Sequence, residues 1–225
     1  MLVVGVDGTK SGWAAIRLVG GRLSTVTLHE SFVEVVEAHQ DAVVIAVDIP
    51  IGFPASKDRK ADGEARSFVG PRASSVFTTA PRDVLRTSTH REASDLAKRL
   101  TGKGISQQAY ALGKKILEVD GIVRPGDQIY EVHPEVSFCA LAGCHLRDYK
   151  KTWNGLMVRR SLLAERAGIV LPDDLEEIGR TAAPDDLLDA AVAAWSALRI
   201  ARGEAMTLPS EPEVDDRGRK VAIWY

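Results

Sequence analysis

Two apolar runs in this chain each end in an aspartate. Leu2-Val3-Val4-Gly5-Val6 leads into Asp7, and Val43-Val44-Ile45-Ala46-Val47 leads into Asp48. Continuous apolar runs of this length predict strands buried on both faces. The carboxyl edge of an α/β sheet is where ligands bind. If the two strands are parallel neighbours, Asp7 and Asp48 lie side by side there. Bringing like charges together is costly unless something positive compensates, and a divalent cation with carboxylate oxygens as ligands meets that need.

The surrounding pattern extends the sheet. Gly8 to Gly12 predicts a turn, residues 13–19 a second strand, Gly20-Gly21 a tight hairpin, and residues 23–29 a third strand. Ser31, with Glu34 three residues on, predicts a capped helix that continues through Val35, Val36 and His39. Pro50 stops the strand that ends in Asp48. A short strand is predicted over 128–132, with Glu131, His133 and Glu135 around its end, and Pro134 opens a helix through Leu141. Further helices are predicted over 153–167, closed by Gly168, and over 185–202, with Asp185 as the cap. Residues 203–218, acidic and proline-containing, read as a surface loop before a last strand at 220–225.

Residues 55–125 differ from this core. They carry helical patches near 59–68, 92–101 and 106–119, broken by Gly and Pro. Within 56–115 there are thirteen Lys/Arg against six Asp/Glu, a basic island in a chain whose net charge is −2. The segment reads as a mainly helical insertion after the fourth strand, within one domain spanning 1–225 (core 1–54 and 126–225). With 225 residues the chain can bury a core without staples. Cys139 and Cys144 show no zinc spacing and read as buried free thiols. There is no signal-peptide pattern at the N-terminus and no apolar stretch long enough for a membrane span, which predicts a cytoplasmic protein.

The carboxylates form a set. Asp186 and Asp189 stand three apart on the predicted 185–202 helix and share a face. An Asp at a helix start also answers the helix dipole, but Asp189 lies a turn further in. Asp7, Asp48, Asp186 and Asp189 are therefore the candidate ligands of Mg²⁺ or Mn²⁺ and candidate catalytic residues. Two metals about 3.5–4 Å apart, bridged by such carboxylates, can activate a water and stabilise a leaving oxygen in phosphodiester cleavage. Glu131 is a fifth catalytic candidate, with His133 and Glu135 as neighbouring groups or a general base; local salt bridges explain the same residues. Arg72, in a Gly70-Pro71-Arg72 turn, and Lys150 are candidate substrate-binding residues, while Arg82, Lys114, Lys115 and Lys151 could contact phosphates or serve as solvated surface charge. Trp13, Trp153, Trp195 and Trp224 read as core residues.

The order of elements and the segment Val4-Gly5-Val6-Asp7-Gly8 resemble the ribonuclease-H-like superfamily. Asp186-Leu187-Leu188-Asp189-Ala190-Ala191-Val192-Ala193 is similar to the last-helix signature of RuvC-type junction resolvases; those usually carry Glu where this chain has Asp48. More closely, the chain resembles the family catalogued as domain of unknown function 429, described as predicted ribonuclease-H-like nucleases. The matching stretches are 47–52, 72–77, 108–110, 130–135 and 185–190. The resemblance implies a ribonuclease-H-like mixed sheet flanked by helices, and a metal-dependent nuclease acting on RNA or DNA.

Two other readings stand beside it. Asp7-Gly8-Thr9 followed by Gly12 resembles the first phosphate motif of the actin and sugar-kinase superfamily, which implies an ATP- or nucleotide-handling protein binding a small phosphorylated ligand. That superfamily works with two such domains, and no second Asp-Gly-Thr segment is present. The third reading is a non-catalytic binding module on the same fold. The chain lacks the interleaved aromatic and basic residues that stack single strands.

Overall fold

The computed structural model of the chain describes residues 1–53 and 58–225. The meander forms as the sequence predicts. Strands β1 (Leu2–Gly8), β2 (Trp13–Val19) and β3 (Arg22–His29) pair antiparallel. Gly20 and Gly21 both take positive φ, 61° and 86°, the geometry a two-residue hairpin turn with matching twist demands. Helix α1 (Phe32–Ala38) starts at Ser31, whose hydroxyl accepts from Glu34 N–H. The Glu34 carboxylate reaches past Ser31 to the Glu30 N–H, so the reciprocal half of the expected capping box falls one residue early.

Strand β4 (Val44–Val47) then pairs parallel with β1, and β5 (Ile129–Glu131) pairs parallel with β4. The five-stranded sheet has the order β3-β2-β1-β4-β5. This is the ribonuclease-H-like mixed sheet, flanked by helices on both faces. Alternation sorts the side chains. Val3, Val44 and Ala46 face one core with α6 (Pro134–Ala142) and α9 (Pro184–Arg202). Val4, Val6, Ile45 and Val47 face the other, with α1 and α5 (Gln107–Ile122).

Helices α2 (Lys60–Val69), α3 (Arg82–Leu85), α4 (His90–Thr101) and α5 lie between β4 and β5, so the insertion is helical as expected. Its expected start near residue 55 falls at residues 54–57, outside the described residues. Arg72 sits in a 3-10 turn over Gly70–Ser75 that continues α2.

Several expectations need correction. Residues 203–218 are not only a loop: β6 (Thr207–Val214) pairs antiparallel with β7 (Lys220–Trp224) in a second, two-stranded sheet. Pro209 and Pro212 cannot donate to a ladder, which masks the strand in sequence; the pairing tolerates them because its register breaks between Leu208 and Glu213. The predicted 153–167 helix is α7 (Trp153–Leu162) followed by a π turn, Leu163–Ala167. A further short helix, α8 (Glu176–Thr181), precedes α9. Asp185 is not the cap of α9: Ala183 is, with Pro184 as the first helical residue. Cys139 is buried but Cys144 is exposed. Trp153 is 74% exposed and belongs to no core, whereas Trp13 is fully buried. Among the described residues no helix is long and apolar enough to cross a membrane.

Candidate metal centre

The sheet's alternation aims the carboxylates. Val3, Gly5 and Asp7 point to the α9 side of β1, as Val44, Ala46 and Asp48 do on β4. Parallel register holds the two aspartates together: Val6 pairs with Val47, and the Asp48 N–H donates to the Val6 carbonyl at 2.9 Å. Helix α9 reaches this edge because β1 carries a glycine beneath it. A Cβ on Gly5 would lie 1.9 Å from Ala194 N and 2.2 Å from Ala190 O, so the helix backbone rests directly on the strand. Ala190, Ala191, Ala193 and Ala194 keep that face thin. One turn back along the helix, Asp189 arrives beside Asp7.

Asp7, Asp48 and Asp189 each offer one oxygen, and the three oxygens lie within 4.8 Å of one another. Asp186 is not in that set; it lines the cleft in front of it. Asp7 and Asp189 are almost fully buried. Asp7 Oδ1 accepts from Gly8 N–H at 2.7 Å, and Asp189 Oδ2 takes the Lys150 ammonium. Asp189 Oδ1 has no hydrogen-bond partner among the described residues. An orphaned carboxylate oxygen in a buried site costs free energy unless a cation completes it.

The electrostatics agree. Burial, then Asp48 and Asp189, hold the Asp7 carboxyl well above its usual range. Burial pushes Asp48 and Asp189 up to about 7, although Lys150 pulls both down. Burial and Asp185 raise Asp186. Burial alone would lower the Lys150 ammonium, but Asp189, Asp48 and Asp7 raise it above its ordinary value. With all three carboxylates ionised, the Lys150 ammonium balances one of the three charges, and a divalent ion would balance the other two. The donor set is all oxygen, which suits a hard cation.

Glu131 is placed otherwise. One oxygen accepts from Ile51 N–H at 2.7 Å and the other from the buried Arg59 guanidinium, which also lies 3.3 Å from Asp62. Burial still lifts the Glu131 carboxyl to about 7 against the pull of Arg59. Asp62 in turn accepts from Thr79 N–H at 2.7 Å, so Glu131 ties the insertion to the core. Glu135 is likewise committed, accepting two bonds from Arg159 at 2.8 and 2.9 Å. His133 lines the cleft; its Nε2 meets the Ser75 carbonyl at 3.3 Å, and burial lowers its pKa.

The cleft in front of the carboxylates has a volume of about 450 Å³. Arg72, Lys150 and Lys151 lie on its walls. Arg72 donates to the Arg147 carbonyl, and Lys151 stands 3.7 Å from Asp185. Arg82 is instead held by Asp120 and Asp216, and Lys115 donates to the Gly12 carbonyl at 2.6 Å beneath the Trp13 ring. Sequence reasoning missed Arg59 and Arg159. Their carboxylate partners lie 72 and 24 positions away, and no local pattern announces a buried arginine.

A mixed sheet in the order 3-2-1-4-5, with carboxylates from β1, β4 and α9 gathered at its carboxyl edge, defines a ribonuclease-H-like α/β protein with a candidate metal centre. The chain belongs to the family described as protein of unknown function DUF429, whose model matches residues 5–214. No curated protein and no solved structure matches the chain.

Proposed function

We propose that the protein is a divalent-metal-dependent nuclease that hydrolyses phosphodiester bonds in RNA or DNA. The observation that carries this reading is the group of three carboxylates, Asp7 and Asp189 buried and Asp48 half-buried, with one Asp189 oxygen left without a partner among the described residues, beside a cleft whose lining includes Arg72, Lys150 and Lys151. Asp7, Asp48 and Asp189 hold Mg²⁺ or Mn²⁺, and Asp186 stands at the cleft side of the site. A divalent ion held by these residues would supply an activated water and charge stabilisation at the phosphate. Arg72 and Lys151 attract and orient the phosphodiester from the walls, and Lys150 fixes Asp189. His133 lines the cleft with a pKa lowered by burial, and its buried Nδ1 has no partner among the described residues.

Labelled RNA, linear DNA and branched DNA, each incubated with Mg²⁺ or Mn²⁺, test the proposal. Wild type cuts at least one of them, and Asp7→Asn and Asp189→Asn each lower the rate by about 100-fold or more, a few kcal/mol of lost charge stabilisation. Absence of cutting on every substrate, or cutting that survives both substitutions, rejects it.

A further inference from the structure

We infer that Lys150 is a resident cation of the carboxylate cluster, so that the site takes a single divalent ion and not a pair. This rests on the reading above that the cluster holds metal. Lys150 lies in the loop between α6 and α7, yet its ammonium reaches into the sheet edge and bonds Asp189 Oδ2. Its side chain is 26% exposed and that of Asp189 only 1%.

The loop is built to hold it there. The carbonyls of the three residues before Lys150 are each engaged. Arg147 O accepts from Arg72, Asp148 O from Arg159 Nη1 at 3.1 Å, and Tyr149 O from Thr152 N–H at 2.9 Å and the Thr152 hydroxyl at 2.8 Å. Arg159 is itself fixed by both Glu135 oxygens. The same carbonyl of Tyr149 sits where a Cβ on Gly155 would fall, 2.0 Å away, so glycine at the start of α7 lets the loop close down. A surface lysine needs no such scaffold.

The oxygen inventory points the same way. A carboxylate that bridges two ions with one oxygen on each needs both oxygens clear of other cations. Asp189 gives Oδ2 to Lys150 and keeps Oδ1, and Asp7 gives Oδ1 to the Gly8 N–H. One oxygen from each of the three carboxylates lies within 4.8 Å of the other two. Three such atoms suit one ion completed by water, and the ammonium stands where a second positive charge would otherwise be required.

Manganese counted on the intact chain tests this without any nuclease assay. Calorimetric titration with Mn²⁺, followed by electron paramagnetic resonance of the loaded protein, gives the number of ions and whether they are coupled. Wild type binds one Mn²⁺ with the spectrum of an isolated ion, and Asp189→Asn loses it. Lys150→Met binds two Mn²⁺ with a spin-coupled spectrum, and Lys150→Arg, which keeps the cation, returns to one. Circular dichroism confirms that each variant is folded before it is counted. Two coupled ions in wild type, or one uncoupled ion in Lys150→Met, overturn the inference while leaving the metal reading standing. No bound ion in wild type overturns both.

Discussion

Asp189 and Glu131 are both buried acids, and what separates them is one oxygen. Asp189 keeps Oδ1 without a partner among the described residues, whereas both oxygens of Glu131 are engaged, by Ile51 N–H and Arg59. The first arrangement, with Lys150 on Oδ2, still has an oxygen for a further cation; the second has none left. Glu131→Ala leaves the Arg59 guanidinium buried beside Asp62 alone, and removing one partner of a buried pair costs about 3–5 kcal/mol. Urea unfolding should show that loss, while Mn²⁺ affinity measured on the folded variant stays within about threefold of wild type, since additivity holds for sites without shared partners. A collapse of Mn²⁺ binding in a folded Glu131→Ala protein would instead make Glu131 part of the metal centre.

At the scale of elements, the site depends on how closely α9 lies on β1. Gly5→Ala puts a methyl within 1.9 Å of the Ala194 backbone nitrogen, and no rotamer can relieve a clash with backbone. Overpacking of this kind costs about 3 kcal/mol, and because α9 must lift, Asp189 moves away from Asp7. The variant should unfold at lower urea and bind Mn²⁺ at least about tenfold more weakly, a scale comparable to losing a residue that orients metal ligands. A second element contact carries a pH signature. Asp120 on α5 accepts from Arg82 at the start of α3 and from Arg219 beside β7. Burial pushes its carboxyl up, but the bonds from Arg82 and Arg219 outweigh that and hold it below the ordinary 3.8. A depressed folded-state value means the unfolded chain takes up the proton first. The stabilisation is therefore complete above 3.8 and is lost as the pH falls through the lower folded-state value. Asp120→Asn should lower stability at neutral pH and flatten the decline of urea stability in acid. An acid decline identical to wild type would place the titrating groups elsewhere.

For the whole molecule, the basic island is partly spoken for. Of its arginines, Arg59, Arg66, Arg72 and Arg82 bond carboxylates, a hydroxyl or carbonyls of the chain itself, and Lys60 pairs with Glu213. Part of what looks in sequence like a nucleic-acid surface is the fastening of the insertion. In the cleft, Lys150 is engaged by Asp189 and Arg72 by the Arg147 carbonyl, and on the proposed function Arg72 and Lys151 are the wall cations that would meet a phosphate. Binding of a nucleic-acid substrate should then release few counterions, with a slope of log affinity against log salt of about −1 to −2. Fluorescence anisotropy over a salt series measures it. A slope steeper than about −4 would require a wider basic footprint.

The sequence by itself determined the sheet and pointed to the acids of the candidate metal centre. Apolar runs ending in Asp7 and Asp48, the Gly20-Gly21 hairpin and the aspartates at 186 and 189 are local patterns, and period and turn chemistry act over a few residues. It did not determine which acids stay available. Asp186, Asp189 and Glu131 are all candidates in sequence, but only packing decides that one faces the cleft, one is engaged by Arg59, and one keeps an oxygen bare. Strand β6 was hidden for a related reason: its prolines and acidic residues argue against a ladder until β7 supplies the partner edge. Buried ion pairs join residues far apart in the chain. Their free energy depends on desolvation and mutual distance, which exist only once the tertiary structure has formed.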